Sequence, residues 1–262
     1  MIKNILKKIL PKSLLSFLAK YKNEAKQRKD KEVEEVSEDF INRKNFYAQF
    51  LKKGDTYFDI GANYGNRISP IIKLEVGLIV AVEPQEACCN YLRETFKGIT
   101  VLQNGVGAVA ETKTFYVSSD SVLSSFSQDF IIKTGDTRFV GNTWNETRQI
   151  DIITLDSIIE KYGTPDFVKV DVEGFEPEVF KGLSKPLKVV SFEYTVPELK
   201  ENLFPIIEKL DSLGNCTFNY SIGESMELRL KDWVNYESVK KILESSSFIA
   251  TGFGDIYAKY DQ

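Results

Sequence analysis

Histidine is missing altogether from the 262 residues. That removes every mechanism built on a Ser-His or Cys-His pair, and with it the commonest zinc ligand. Cysteine is scarce: only Cys88, Cys89 and Cys216 occur. An odd number with two neighbours adjacent suits neither a disulfide framework nor a metal knuckle, so the three read as reduced, buried thiols of a cytoplasmic protein. The sequons at Asn145, Asn215 and Asn219 are then chance matches. There is no long basic stripe, and the net charge is −4. The electrostatic footprint of a nucleic-acid binder is therefore absent. A membrane-spanning run is also lacking. The apolar positions of the first twenty residues are broken by Lys3, Lys7, Lys8 and Lys12, which also makes a poor secretion signal.

What is present is organised around Tyr57-Phe58-Asp59-Ile60-Gly61-Ala62-Asn63-Tyr64-Gly65. An apolar strand runs into a turn with two glycines, and a helix is expected to begin near Asn63. A turn of this kind opening onto a helix is where open α/β sheets place nucleotides. The dinucleotide fingerprint does not fit, because no third glycine follows at the required offset. Leu78 to Val82 is the continuous apolar run of a parallel strand covered on both faces. It ends in Glu83-Pro84, and Glu83 follows Gly61 by 22 residues, the spacing of a carboxylate that grips ribose hydroxyls. A helix over Glu86–Phe96 and a strand over 99–102 complete a β-α-β-α-β order. This predicts a doubly wound, mostly parallel seven-stranded α/β sheet.

The sequence divides into a basic helical extension and linker, 1–39, and one catalytic domain, 40–262. Residues 1–29 carry eight Lys and one Arg against one Glu, a local balance of +8. Apolar residues recur there at helical spacing, from Ile2 to Leu18, with Pro11 interrupting. Such a helix suits either a peripheral contact with an anionic membrane face or packing on the domain or on a second copy. The domain should open with a helix over 40–53. Beyond the third strand, Asn104-Gly105-Val106-Gly107 is a second glycine turn at the expected ligand crevice. Thr112–Val117 reads as a strand, and the polar stretch 118–145 as a lid or acceptor loop. A strand over 149–154, a helix over 155–162 and a strand ending near Val170 follow.

That last strand delivers Asp171 and Glu173 to the carboxyl edge, and the strand Val189–Tyr194 delivers Glu193. Ligands bind outside the carboxyl ends of strands in such sheets. A solvated or capping role is the ordinary fate of one acid, but three at neighbouring strand ends point to a site. Asp171 is expected to be the general base, raised by burial beside other carboxylates, with Glu173 or Glu193 orienting the acceptor. A metal-assisted variant with Asp171 and Glu173 binding Mg²⁺ ranks lower, since neighbouring acids more often serve hydrogen bonding.

Together, the Asp59–Gly65 turn, Val82-Glu83-Pro84, Thr154-Leu155-Asp156 and Val168-Lys169-Val170-Asp171-Val172-Glu173-Gly174-Phe175-Glu176 resemble the FkbM family of class I S-adenosylmethionine-dependent methyltransferases over about residues 54–195. Ser124-Ser125 resembles that family's serine pair. The resemblance implies that Asp59, Gly61, Asn63 and Gly65 frame the methionine end of the cofactor and that Glu83 holds the ribose. Asn104, Gly105 and Gly107 would border the adenine. It further implies O-methylation of a sugar, glycan or natural-product hydroxyl. Some relatives offer a histidine near the acceptor; this sequence has none. Two other readings stay open: another nucleotide-using α/β enzyme such as a short dehydrogenase, and a non-catalytic membrane-associated binding protein of the same fold.

Overall fold

The computed structural model describes residues 38–260; the basic extension before them, and any membrane or self-association contact it makes, lies outside the described residues. In chain order the elements are α1 (Glu38–Tyr47), β1 (Thr56–Ile60), α2 (Ile68–Ile72), β2 (Leu78–Val82), α3 (Glu86–Thr95), β3 (Thr100–Leu102), β4 (Gly105–Val106) and β5 (Glu111–Val117). They continue with α4 (Gln128–Gly135), β6 (Glu146–Ile153), α5 (Leu155–Tyr162), β7 (Phe167–Val170), α6 (Glu176–Lys181) and β8 (Val189–Thr195). The remainder is α7 (Leu203–Ser212), β9 (Cys216–Tyr220), α8 (Tyr236–Glu244), α9 (Ser246–Ile249) and β10 (Phe253–Tyr260).

Seven strands form one sheet in the order β3-β2-β1-β7-β8-β10-β9. β10 runs antiparallel to both its neighbours, while the β3-to-β8 portion is parallel. The expected doubly wound sheet is thus present. Strand alternation assigns its two faces. Phe58 and Ile60 join Val80, Val168, Val190 and Phe192 in a core covered by α5 to α8. Tyr57 lies on the other face with Ala81, Phe167 and Tyr257, under Phe46 and Tyr47 of α1 and Ile68 of α2. Aromatic edges fill this second layer: Phe46 meets Tyr257 at 5.3 Å and Tyr47 meets Phe167 at 5.6 Å between ring centres. Fully burying such a ring contributes about 1.5–3 kcal/mol.

The aromatic face also carries charge. Asp59 is opposite Lys169 in register, and Lys169 is opposite Ser191 in turn. All three are buried. An apolar layer therefore gives way to a polar one at the carboxyl edge, where the ligand crevice is expected.

Helix limits follow capping chemistry. The Thr154 side chain accepts a hydrogen bond from Ser157 N–H to begin α5, and Gly163, at φ +90°, ends it. Other boundaries depart from expectation. α1 stops at Tyr47 rather than continuing to Lys53. The helix expected from Asn63 begins only at Ile68, because Asn63 and Gly65 both take left-handed backbone, φ +44° and +77°, which no helix accommodates. β4, β6 and β5 form a separate three-stranded sheet. The stretch expected to be an irregular lid contains α4, begun by the Ser127 side chain accepting from Phe130 N–H. It is also fixed in place: Trp144 Nε1 donates to the Leu123 carbonyl at 2.7 Å, and Tyr116 bridges to Ser125.

Candidate active site

A cavity of about 400 Å³ opens at the carboxyl edge, between the turns that follow β1, β2 and β7. Gly61 shows why this turn needs glycine. Its φ is +87°, and a Cβ there would lie 1.8 Å from the Asp171 carbonyl oxygen. The ends of β1 and β7 meet at this point without room for a side chain, tied further by Asp171 N–H donating to Ile60 O at 2.9 Å.

On the β2 side, Glu83 is buried yet well supplied with donors. Asn63 N–H reaches Oε2 at 2.9 Å and Gln85 N–H reaches Oε1 at 2.8 Å. Burial pushes its pKa up to about 7, against the pull of those two amides. The Gln85 side chain donates to Ser121 O at 3.0 Å, and Ser124 Oγ approaches Gln85 Oε1 at 3.4 Å. This links the 118–145 segment to the β2 turn. Asn104 and Gly105 line the cavity, with the Asn104 amide held by Asp151 O at 3.1 Å.

Two of the glycines in the expected cofactor turns do not reach the cavity wall. Gly65 and Gly107 are not among the residues lining the cavity. A Cβ on Gly65 would sit 2.5 Å from the Phe96 ring, and one on Gly107 would sit 2.9 Å from Ile152. Gly65 needs glycine for its left-handed backbone as well, and Gly107 for the Ile152 side chain against it. Sequence spacing alone does not distinguish that need from a ligand's.

On the β7 and β8 side, Asp171, Glu173 and Glu193 come together, each offering a carboxylate oxygen within 4.8 Å of the others. The turn carrying Glu173 is fixed from several directions. Glu173 and Gly174 are both left-handed, φ +54° and +85°. The buried Glu176 carboxylate accepts from Val172 N–H at 3.0 Å and Gly174 N–H at 3.3 Å, and Ser125 Oγ donates to Glu173 O at 2.7 Å.

The decisive neighbour is a residue the strand pattern gave no functional role. Lys169, 2% exposed, sends Nζ to Asp171 Oδ2 at 2.7 Å and Asp255 Oδ1 at 3.4 Å. A lysine between valines in a fully covered strand is the signal that would have found it, because buried lysines require partners. Burial raises Asp171, but the Lys169 charge and hydrogen bond, with the Arg67 charge and a hydrogen bond from Glu193, together outweigh it and leave its pKa lowered. The expectation of a raised Asp171 is thereby reversed. The elevated groups are the two glutamates. Burial, compounded by the Asp171 charge, lifts both Glu173 and Glu193 well above the usual range.

Asp59 completes the floor. Burial, with Asp171 adding to it, raises its pKa to about 6 against Lys169 and Arg67. Its Oδ2 is buried with no partner among the described residues. A buried acceptor left unpaired is costly, and at a cavity wall it suits a ligand bearing donors.

The family described as Methyltransferase FkbM domain matches residues 59–220, more than half of the chain. No curated protein sequence matches. Among solved structures, similarity extends to a TehB-like SAM-dependent methyltransferase from Corynebacterium glutamicum, 9% identical, covering 93% of this chain and 99% of that one at a TM-score of 0.48. It extends also to an O-methyltransferase from Bacillus cereus in complex with SAH, 15% identical, covering 97% and 93% at a TM-score of 0.45. A precorrin-6y C5,15-methyltransferase from Geobacter metallireducens is 13% identical, covering 84% and 87% at 0.42. With the sheet order, the glycine turn and the carboxylate-lined cavity established, the chain belongs to the FkbM methyltransferase family, whose methyl donor is S-adenosylmethionine.

Proposed function

We propose that this methyltransferase acts on oxygen, methylating a hydroxyl of a sugar, glycan or natural-product acceptor. The observation that carries the proposal is the acid cluster beside the cavity, with a lysine-paired Asp171 and two glutamates of raised proton affinity. When bound, the cofactor supplies a methyl group already activated on sulfur, so the residues here need to orient and deprotonate.

In this reading Glu83 holds the ribose hydroxyls, Asn104 and Gly105 border the base, and Asp59, Gly61 and Asn63 receive the amino-acid end. Orientation of an oxygen nucleophile is worth as much as about 7–11 kcal/mol. Glu193 takes the hydroxyl proton as the acceptor oxygen gains the methyl. It is the stronger base of the two, since burial and the Asp171 charge raise its proton affinity while Asp171 is held low. Glu193 stands on β8, where Asp171 is its hydrogen-bonding neighbour. Asp171, kept anionic by Lys169, adds its negative charge to the burial that raises the glutamates, and Glu173 orients the acceptor.

The test is thermal unfolding with S-adenosylmethionine, S-adenosylhomocysteine and NAD in parallel, then a labelled-methyl screen of hydroxylated and amine acceptors. Ligand at about 100 times its Kd stabilises by roughly 2.7 kcal/mol. Midpoint shifts with the two sulfur nucleosides alone, followed by label on a sugar hydroxyl, are expected. Label appearing only on nitrogen acceptors would overturn the oxygen assignment.

A further inference from the structure

Arg43 of α1 and Arg67, in the turn after β1, line the same cavity as the acid cluster, and so does Glu224. Arg67 is 9% exposed. It has one short ionic contact, Nη2 to Glu224 Oε2 at 2.6 Å. That same oxygen stands 3.9 Å from Arg43 Nη2, which also meets Asp39 Oδ2 at 2.9 Å. Arg67 Nη1 and Arg43 Nε are buried with no hydrogen-bond partner among the described residues. One carboxylate oxygen thus serves two guanidiniums whose planar forks are suited to two oxygens each.

The partner supplying that oxygen is held less firmly than the arginines. The Glu224 side chain is 53% exposed. It sits in the segment after β9 between Gly223 and Met226, both left-handed, at φ +53° and +52°. Two cations with donors to spare, sharing one surface carboxylate oxygen while Asp39 meets Arg43 alone, are an arrangement that a two-oxygen ligand improves.

We propose that Arg43 and Arg67 form a carboxylate-binding subsite, occupied by Glu224 in this structure and by a ligand carboxylate once the 222–228 segment yields. The inference rests on the methyltransferase reading above. Two carboxylates have access to such a seat: the amino-acid end of the cofactor and an acidic group on a sugar acceptor. Glu224 is then a competitor that the ligand displaces, and the cavity selects for anionic ligands.

Calorimetric titration of the full chain compares S-adenosylhomocysteine with 5′-methylthioadenosine, which keeps the nucleoside and thioether but lacks the amino-acid end. A second arm compares glucuronate with glucose at saturating S-adenosylhomocysteine. If the cofactor fills the seat, Arg43→Gln weakens S-adenosylhomocysteine about tenfold and leaves methylthioadenosine within about twofold, the loss of one charge-assisted contact. Glu224→Gln then tightens S-adenosylhomocysteine alone, an effect that a merely structural role for Glu224 does not produce. If the acceptor fills it, the nucleoside ratio is unchanged and a preference for glucuronate over glucose disappears in Arg43→Gln. Both ratios unchanged in both variants overturns the inference while nucleoside binding persists. Binding of neither nucleoside overturns the methyltransferase reading, and the inference falls with it. Arg43, with 19% of its side chain exposed, is the variant of choice over the more deeply set Arg67.

Discussion

Glu83 and Glu193 are both carboxylates on the carboxyl-edge side of one sheet, yet they are held in opposite ways. Glu83 receives two backbone N–H groups, from Asn63 and Gln85. Those donors are fixed by the chain path and cannot titrate. Glu193 is buried facing other acids, Asp171 and Glu173, and burial together with those charges raises its proton affinity. A backbone-held carboxylate is a rigid acceptor whose geometry hardly responds to what enters. A carboxylate held among acids has an energy that depends on where protons and charges are. The first arrangement suits recognition and the second suits proton transfer, though residue type and strand position are nearly the same.

The contrast predicts different failures. Glu193→Gln should lower methyl transfer to the acceptor found in the screen by about 10²–10⁴-fold while S-adenosylhomocysteine binding stays within error. Single-turnover kinetics alongside titration check this. A loss of binding equal to the loss of rate would collapse the distinction between the two carboxylates. Glu83→Ala should do the reverse. It removes hydrogen bonds to a charged group, each worth about 1.5–3 kcal/mol, and raises the Kd for S-adenosylhomocysteine by ten- to a hundredfold. Turnover at saturating cofactor should be changed much less.

The smallest effect is on stability against pH. Asp59 rises to about 6, and Glu83 and Glu176 to about 7, all chiefly through burial. Between the ordinary carboxyl values and pH 7 the folded chain therefore binds more protons than the unfolded one. Stability should fall as pH rises through that window. The melting midpoint of the ligand-free protein should be higher near pH 5.5 than near pH 8, by a few degrees. Below that window Asp166 works in the other direction. Thr56 N–H and Lys188 hold it low despite its burial, so protonating it costs stability. A midpoint flat or rising from pH 5.5 to 8 would show that these carboxyls are not held as described.

Much of this architecture could be read from residue order. Apolar runs such as Leu78–Val82 and Phe167–Val170 mark parallel strands because both faces must be covered. Thr154 and Gly163 mark the ends of a helix through chemistry that acts within four residues. The convergence of Asp171, Glu173 and Glu193 was also legible, since strand ends in such a sheet share one edge. The rest depended on distances that no local pattern encodes. The Phe96 and Ile152 side chains that lie against Gly65 and Gly107 are not visible in the spacing of those glycines. The lowered pKa of Asp171 depends on a lysine two residues away, whose side chain points the same way only because strand side chains alternate. Arg67 lies in a loop without periodicity, and its partner Glu224 is distant in sequence.

The contact between Gly61 and the Asp171 carbonyl carries one last consequence. The turn that receives the cofactor and the turn that presents the acids are not separate modules joined by a flexible strand; they share a single point of backbone touching backbone. Neither is free to acquire a bulkier residue or a shifted path unless the other changes at the same time. Over evolutionary time the donor site and the reaction centre are therefore inherited as one unit. The 118–145 segment reaches that unit through side chains, the Ser125 hydrogen bond to Glu173 and the Phe126 ring against Phe175, rather than through shared backbone, so it is the part of the cavity wall at more liberty to diverge. New acceptors should be acquired there, and the chemistry left intact.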